Sequence, residues 1–272
     1  MKFTVLTDNN GRNGLEGEWG LSVFIEYNGK NFLLDAGNTG LFAENAKKLG
    51  IDLETVEAAF LSHAHYDHSD GFPEFFKANT KAKLYIRSGC RESCYARKEG
   101  KIEYIGIKKG FLSEFENRIE RVDGIKEVCE GVWLVGHTTP GTEAVGKREE
   151  MFIRTASAYR PDGFDHEQSL VFKTGQGLVV FNSCSHVGAA AIIKEVSDAF
   201  EGEKVVALIG GFHLYNKSEK EVRAFAEAVK ETGTETLVTG HCTGEEAFSI
   251  LREELGDAVT GLYAGLEMSF PR

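Results

Sequence analysis

Short apolar runs, most of them closed by glycine, asparagine or aspartate, alternate along this chain with longer amphipathic stretches. Residues 2–7 read as a strand. Segments 20–27 and 31–35 flank Asn28-Gly29, a pair that fits a tight hairpin turn because both residues tolerate positive φ. Thr39 opens a helical pattern that runs through Leu49 and stops at Gly50. Residues 56–61 form a short buried strand, 72–78 a helix and 83–87 another strand. From 88 to 121 the pattern is irregular and rich in both charges, as expected of an insertion over one end of a sheet. A second β-rich half starts at 126–135 and continues through 168–173, a turn at 175–177 and 178–182. Strand and helix then alternate over 189–200, 205–209, 220–232, 236–239 and 245–255, with short strands around 261–270. Two halves, each β-rich and then helical, predict two sheets packed face to face with helices outside. Periodicity alone also allows an ordinary doubly wound sheet.

Composition narrows what such a fold can do. The chain has 272 residues, 42% of them hydrophobic, enough for a sizeable core in a single domain spanning 1–272 with its insertion at 88–121. Four prolines and no low-complexity tract leave no obvious domain break. A net charge of −11 without a basic block argues against nucleic acid as a partner, because gripping phosphates takes clustered lysine and arginine. No apolar run approaches the roughly 20 residues of a membrane span, and the N-terminus does not read as a secretory signal. Five cysteines, an odd number, point to free thiols in a reducing, cytoplasmic setting. Cys90 and Cys94 make a CxxxC without further ligands nearby in sequence, and are read as binding no metal. No sequence feature sets the oligomeric state.

The chemistry concentrates in His63-Ala64-His65-Tyr66-Asp67-His68. These three imidazoles and a carboxylate follow the apolar run 58–61 and precede Gly71, which predicts a loop at the end of a buried strand. Neutral imidazole and carboxylate suit zinc, iron or manganese. His63 and His65 are two apart and point the same way in extended chain. Asp67 and His68 are adjacent, so they diverge and can serve a second ion. The string reads as the shared wall of a site for two divalent transition metal ions, zinc first, with manganese or iron as alternatives. Three later histidines follow short apolar strands and small residues: His186 in Ser-Cys-Ser-His, His213 in Gly-Gly-Phe-His and His241 in Gly-His-Cys-Thr-Gly. Cys184 and Cys242 flank them; a thiolate is a good zinc ligand, but both are read first as the small buried cysteines common beside active sites.

The HxHxDH string resembles the signature of the metallo-β-lactamase superfamily. SCSHVG, GGFHL and GHCTG are similar to the branch that includes the methanopterin-pathway synthase, which joins a dihydropterin diphosphate to a ribofuranosylaminobenzene phosphate; LTDNN, LLDAG at 33–37 and HEQSL at 166–170 fit it more loosely. The resemblance runs nearly the full length. It implies an α/β (α+β) chain folded as a four-layer αββα sandwich, with the metals at one edge between the sheets. It also implies His186 and His241 as ligands. His63, His65 and His186 are then expected to hold one ion, and Asp67, His68 and His241 the other. His213 becomes a group that supports a ligand or contacts substrate. Asp35, in LLDAG, is expected to accept the free N–H of a ligand histidine and fix its tautomer. Asp8, Asn9 and Asn10 either line a pocket or make a turn.

Three departures stand out. The strand end at 178–182 leads into NSCSH and lacks the aspartate that superfamily hydrolases use to bridge their ions, so either His186 takes its place or a water bridges alone. His137, in Gly-His-Thr-Thr-Pro-Gly, is the runner-up for the third histidine. His166 stands where the branch more often has aspartate, and is read as binding no metal.

The first functional reading is a metal-dependent hydrolase acting on a small anionic substrate, a phosphoester, with Asp67 and a bridging hydroxide carrying the chemistry and His213 assisting. Arg91, Arg97, Lys98, Lys101, Lys108 and Lys109 of the insertion are available to meet the substrate's charge. The second reading, implied by the branch, is a transferase that displaces diphosphate from a pterin-like substrate with an aryl amine. A dinuclear iron oxidoreductase lacks room for the flavin domain its relatives carry. A non-catalytic binding module leaves an intact HAHYDH unexplained, and a nuclease lacks an RNA-gripping arm.

Overall fold

The apolar runs become the strands of two seven-stranded sheets in the computed structural model, which describes residues 1–201 and 203–271. The first sheet runs Glu267–Ser269, Lys2–Thr7, Ser22–Tyr27, Lys30–Leu34, Val56–Phe60, Lys83–Arg87, Ile119–Val122. The second runs Val259–Gly261, Thr236–Thr239, Val205–Ile209, Gly177–Phe181, Gln168–Thr174, Val132–Gly136, Ile125–Cys129. Each is antiparallel in one part and parallel in the other. The parallel parts are built from Lys30–Leu34 to Ile119–Val122 in the first sheet and from Gly177–Phe181 to Val259–Gly261 in the second.

Strands that are apolar on both faces make this a sandwich. In Ser22–Tyr27, Val23 and Ile25 join one hydrophobic cluster and Phe24 the other. In Gly177–Phe181, Val179 and Phe181 face one way, Leu178 and Val180 the other. The first cluster lies between the sheets, where Phe3 meets Phe181 at 5.4 Å and Phe32 meets Phe172 at 5.9 Å between ring centroids. The second packs the outer faces against helices Leu41–Lys48, Phe72–Ala78, Ala189–Ala199, Glu219–Glu231 and Glu245–Leu255, through Phe42, Phe75, Ile192, Val222 and Leu251 among others. Each large side chain fully buried this way contributes about 1.5–3 kcal/mol. The result is the four-layer αββα arrangement. No helix among the described residues is long and apolar enough to cross a membrane.

The irregular reading of 88–121 needs correction. Cys94–Lys98 and Lys101–Tyr104 form a hairpin that turns at Glu99 and Gly100, both at positive φ. Its first strand pairs with Met151–Arg154, which pairs with Tyr159–Pro161, making a third sheet of four strands. The charged residues of the hairpin hid the alternation that buries Cys94 and Ala96.

The carboxyl ends of six strands supply the functional side chains. Asp8 follows Lys2–Thr7, Asp35 follows Lys30–Leu34, and His63 to His68 follow Val56–Phe60. From the second sheet come His186 after Gly177–Phe181, His213 after Val205–Ile209 and His241 after Thr236–Thr239. Gly210 lets two of these ends run side by side, because a Cβ there would lie 1.9 Å from the Asn182 carbonyl oxygen.

Candidate metal centre

Asp67, His68 and His241 come together although 173 residues separate the two histidines. His68 Nε2 and His241 Nε2 are 3.2 Å apart, and Asp67 Oδ2 lies 3.7 Å from the first and 3.4 Å from the second. The opposite side of each ring is anchored. His68 Nδ1 meets Asp35 Oδ2 at 2.8 Å, and His241 Nδ1 meets Asn9 Oδ1 at 3.0 Å. Both partners are acceptors, so each Nδ1 carries the proton and each Nε2 is left as a lone pair. Two lone pairs facing across 3.2 Å repel unless a proton or a cation lies between them. Burial opposes charge on Asp67, but His68 and His241 outweigh it and hold the carboxyl below its ordinary range. Burial likewise opposes charge on His241, yet Asp67 and Cys242 raise it to about 9. The spot therefore favours positive charge.

His63, His65 and His186 form a second buried group whose ligand atoms lie within 4.8 Å of one another. Ser62 Oγ donates to Asp35 Oδ2 at 2.7 Å and receives the His63 Nδ1 proton at 2.8 Å. His63 Nε2 is thereby a lone pair, buried and without a partner. His65 Nε2 and both ring nitrogens of His186 are also buried without partners. Such unsatisfied groups cost about 1–3 kcal/mol each. Burial first, then neighbouring imidazoles, keeps His63 and His186 well below their ordinary pKa and brings His65 to about 3. Neutral imidazole is the form that binds metal, and unspent lone pairs converging with a carboxylate nearby are a donor set that fits divalent metal.

Asp35 joins the groups. Its Oδ2 accepts from Ser62, His68 and, across the sandwich, Ser183 Oγ at 2.6 Å; its Oδ1 accepts the Ser62 amide at 2.7 Å. A cavity of about 120 Å³ opens over the centre, lined by His65, Asp67, His186, His213 and His241 and rimmed by Trp19, Tyr215, Arg97 and Lys98. His213 belongs to neither ligand group. Its ring stands 4.7 Å from that of His186, and burial lowers its pKa to about 4 despite Glu149 nearby.

A model of the metallo-beta-lactamase superfamily matches residues 20–146. Tm1679, described as a metal-dependent hydrolase of the beta-lactamase superfamily, is 30% identical and superposes with a TM-score of 0.84 over 100% of both chains. The chain belongs to the metallo-β-lactamase superfamily. Over 98% of its length and 96% of the relative's, it is 28% identical to the 7,8-dihydropterin-6-methyl-4-(beta-D-ribofuranosyl)-aminobenzene-5'-phosphate synthase of Methanocaldococcus jannaschii. A diphosphatase of the PhnP family shares the fold, at 14% identity and a TM-score of 0.55 over 99% of this chain and 97% of that one.

Within this superfamily fold the runner-up His137 lies outside the ligand groups. Its Nδ1 meets Glu195 at 2.7 Å and its Nε2 meets Ser169 Oγ at 2.8 Å, so neither nitrogen is free. Asn9 is one of the residues the sequence left undecided, and it proves to orient His241. Glu167 was missed. Fully buried, it accepts the backbone N–H groups of His186 at 2.9 Å and Val187 at 3.0 Å, holding the loop that carries His186. Burial pushes its pKa up, against the opposing pull of His137 and these amides. Its signal was its place in HEQSL, directly before the buried strand Gln168–Thr174. Glu149 was missed as well; it pairs with Lys217 beside His213.

Proposed function

We propose that this protein is a two-metal hydrolase of a small phosphoester, with zinc as the first candidate ion and manganese or iron as alternatives. The observation that carries the reading is the convergence of two ligand groups, with unspent imidazole lone pairs, beneath one cavity. His63, His65 and His186 would hold one ion, and Asp67, His68 and His241 the other. Two such ions supply a water of lowered pKa and polarise a phosphoryl oxygen. Asp67 stays ionised between its histidines, able to orient that water as well as bind. His213, neutral above its pKa of about 4, faces the cavity and can donate to or accept from the substrate. Arg97 and Lys98 bring positive charge to the rim of an otherwise acidic molecule, which suits a small anion better than nucleic acid or a membrane surface. Five free cysteines support a cytoplasmic setting. The test is a phosphoester panel with chelated and metal-reloaded protein. Hydrolysis should vanish on chelation and return with manganese or zinc. Fully loaded protein that cleaves no phosphoester would contradict the proposal.

One observation favours a second reading, a transferase: the 28% identity to the synthase along nearly the whole of both chains. That reading requires a diphosphate-bearing pterin and an aryl-amine phosphate, releases diphosphate and gives no turnover in water alone. Supplying both substrates separates the two.

A further inference from the structure

Cys184 is a buried nucleophilic group that the reading above does not use. We propose that its thiolate is a ligand shared by both ions, an inference that rests on the two-ion reading. Its Sγ lies within 4.8 Å of ligand atoms of His63 and His68, and again of His241 and Cys242. It therefore reaches one member of the first ligand group and two of the second. It meets His68 Nε2 at 3.3 Å.

The proton inventory fixes what this contact is. Asp35 takes the His68 Nδ1 proton, so Nε2 is an acceptor and the Cys184 S–H donates to it. That proton sits between two metal-type donors. Zinc binds thiolate sulfur at about 2.3 Å and imidazole nitrogen at about 2.0–2.1 Å, so donors 3.3 Å apart can share one ion without moving far. On binding, the S–H bond breaks, the proton passes to solvent, and two sulfur lone pairs become available, one for each ion. Nothing is oxidised or reduced. A thiolate at 3% exposure would be costly alone, and the two cations supply the charge that burial otherwise forbids.

Two other buried thiols, Cys242 and Cys94, are held differently. Cys242 Sγ accepts the His213 backbone N–H at 3.3 Å and turns back toward the Cys184 carbonyl. Cys94 lies in a group with His65, Asp162 and His166. There the Ala64 N–H points at His166 Nδ1 at 3.2 Å, which leaves the ring proton on Nε2, facing Asp162 at 3.1 Å. Both nitrogens of the His166 ring are thus engaged, which leaves Cys94 no free imidazole of His166 to share an ion with.

The experiment is a cobalt(II) titration of metal-free protein, with bound cobalt measured in the same samples. Sulfur-to-cobalt charge-transfer absorption in the near ultraviolet is expected to grow over both equivalents. Cys184→Ser should abolish it and weaken both equivalents by roughly tenfold or more, the scale at which even outer-shell partners act. Cys242→Ser should leave it in place. Cys184→Asp, whose carboxylate can also bridge, should bind two cobalt ions without the absorption, which separates loss of a ligand from loss of folding. Two bound ions with no sulfur absorption, absorption confined to one equivalent, or absorption that survives Cys184→Ser overturns the shared thiolate and leaves the two-ion reading standing. Unaltered protein that binds no cobalt removes both.

Discussion

Asp35 does at residue scale what no ligand does, because its carboxylate reaches both ligand groups and both sheets through His68, Ser62 and Ser183. Asp35→Asn keeps the shape but turns one acceptor oxygen into a donor facing donors. It is expected to lower metal affinity by about 10–100-fold, measured by competition with a chromophoric chelator. Unchanged affinity would mean that His68 and His63 do not depend on it. The residues of HAHYDH, and Asp35 in LLDAG, were legible because short strings carry them. His137 was misleading for the same reason. Its string looks like a ligand motif, while Ser169 and Glu195, distant in sequence, claim both its nitrogens. Asn9 and Cys184 act through partners 232 and 116 residues away, and no local pattern encodes that.

At the scale of elements, the strand ends hold the site at some cost. Asp35, Ser185, His213 and His241 have φ of 55°, 53°, 50° and 45°, a region that costs non-glycine residues about 1–3 kcal/mol each. Neighbouring strands must hold them there. Gly210→Ala would drive a Cβ against the Asn182 carbonyl at φ 140°, and should destabilise the fold by about 1–3 kcal/mol or more in urea unfolding. A neutral result would show that these ends can separate. A second prediction concerns the cavity wall. Burial opposes ionisation of Glu149, but Lys217, Arg148 and Asn216 outweigh it and bring its pKa to about 2. A folded value below the unfolded one, about 4.3, adds stability that is complete above the unfolded value and disappears as pH falls toward about 2. The melting temperature should therefore fall across that window, and less steeply in Lys217→Met. Identical slopes would contradict the pairing. Val205–Ile209 was readable to the residue, because a fully buried parallel strand is a continuous apolar run; Thr236–Thr239 was readable from its apolar centre, Leu237 and Val238, closed by Gly240. The Cys94–Lys98 hairpin was not, because charged side chains fill its exposed face.

On the scale of the whole molecule, the ligands divide between the halves of the chain. His63, His65, Asp67 and His68 hang from the first sheet, His186 and His241 from the second. Ions held by both would pin the sandwich together at its edge. Metal loading is thus expected to raise stability by about 2.7 kcal/mol at a free ion concentration 100 times Kd, read as a higher melting temperature that chelation reverses. A melting temperature indifferent to chelation would mean that no ion spans the sheets. The two-sheet architecture was legible because the β-then-helix order occurs twice. The third sheet was not, since it pairs segments on either side of a strand hairpin of the second sheet. Everything proposed for this site depends on the two ligand groups binding two ions. Anomalous diffraction from crystals grown with zinc tests it directly. Two separate peaks are expected, one bounded by His63, His65 and His186 and the other by Asp67, His68 and His241. A single peak, or strong peaks only elsewhere, would contradict it.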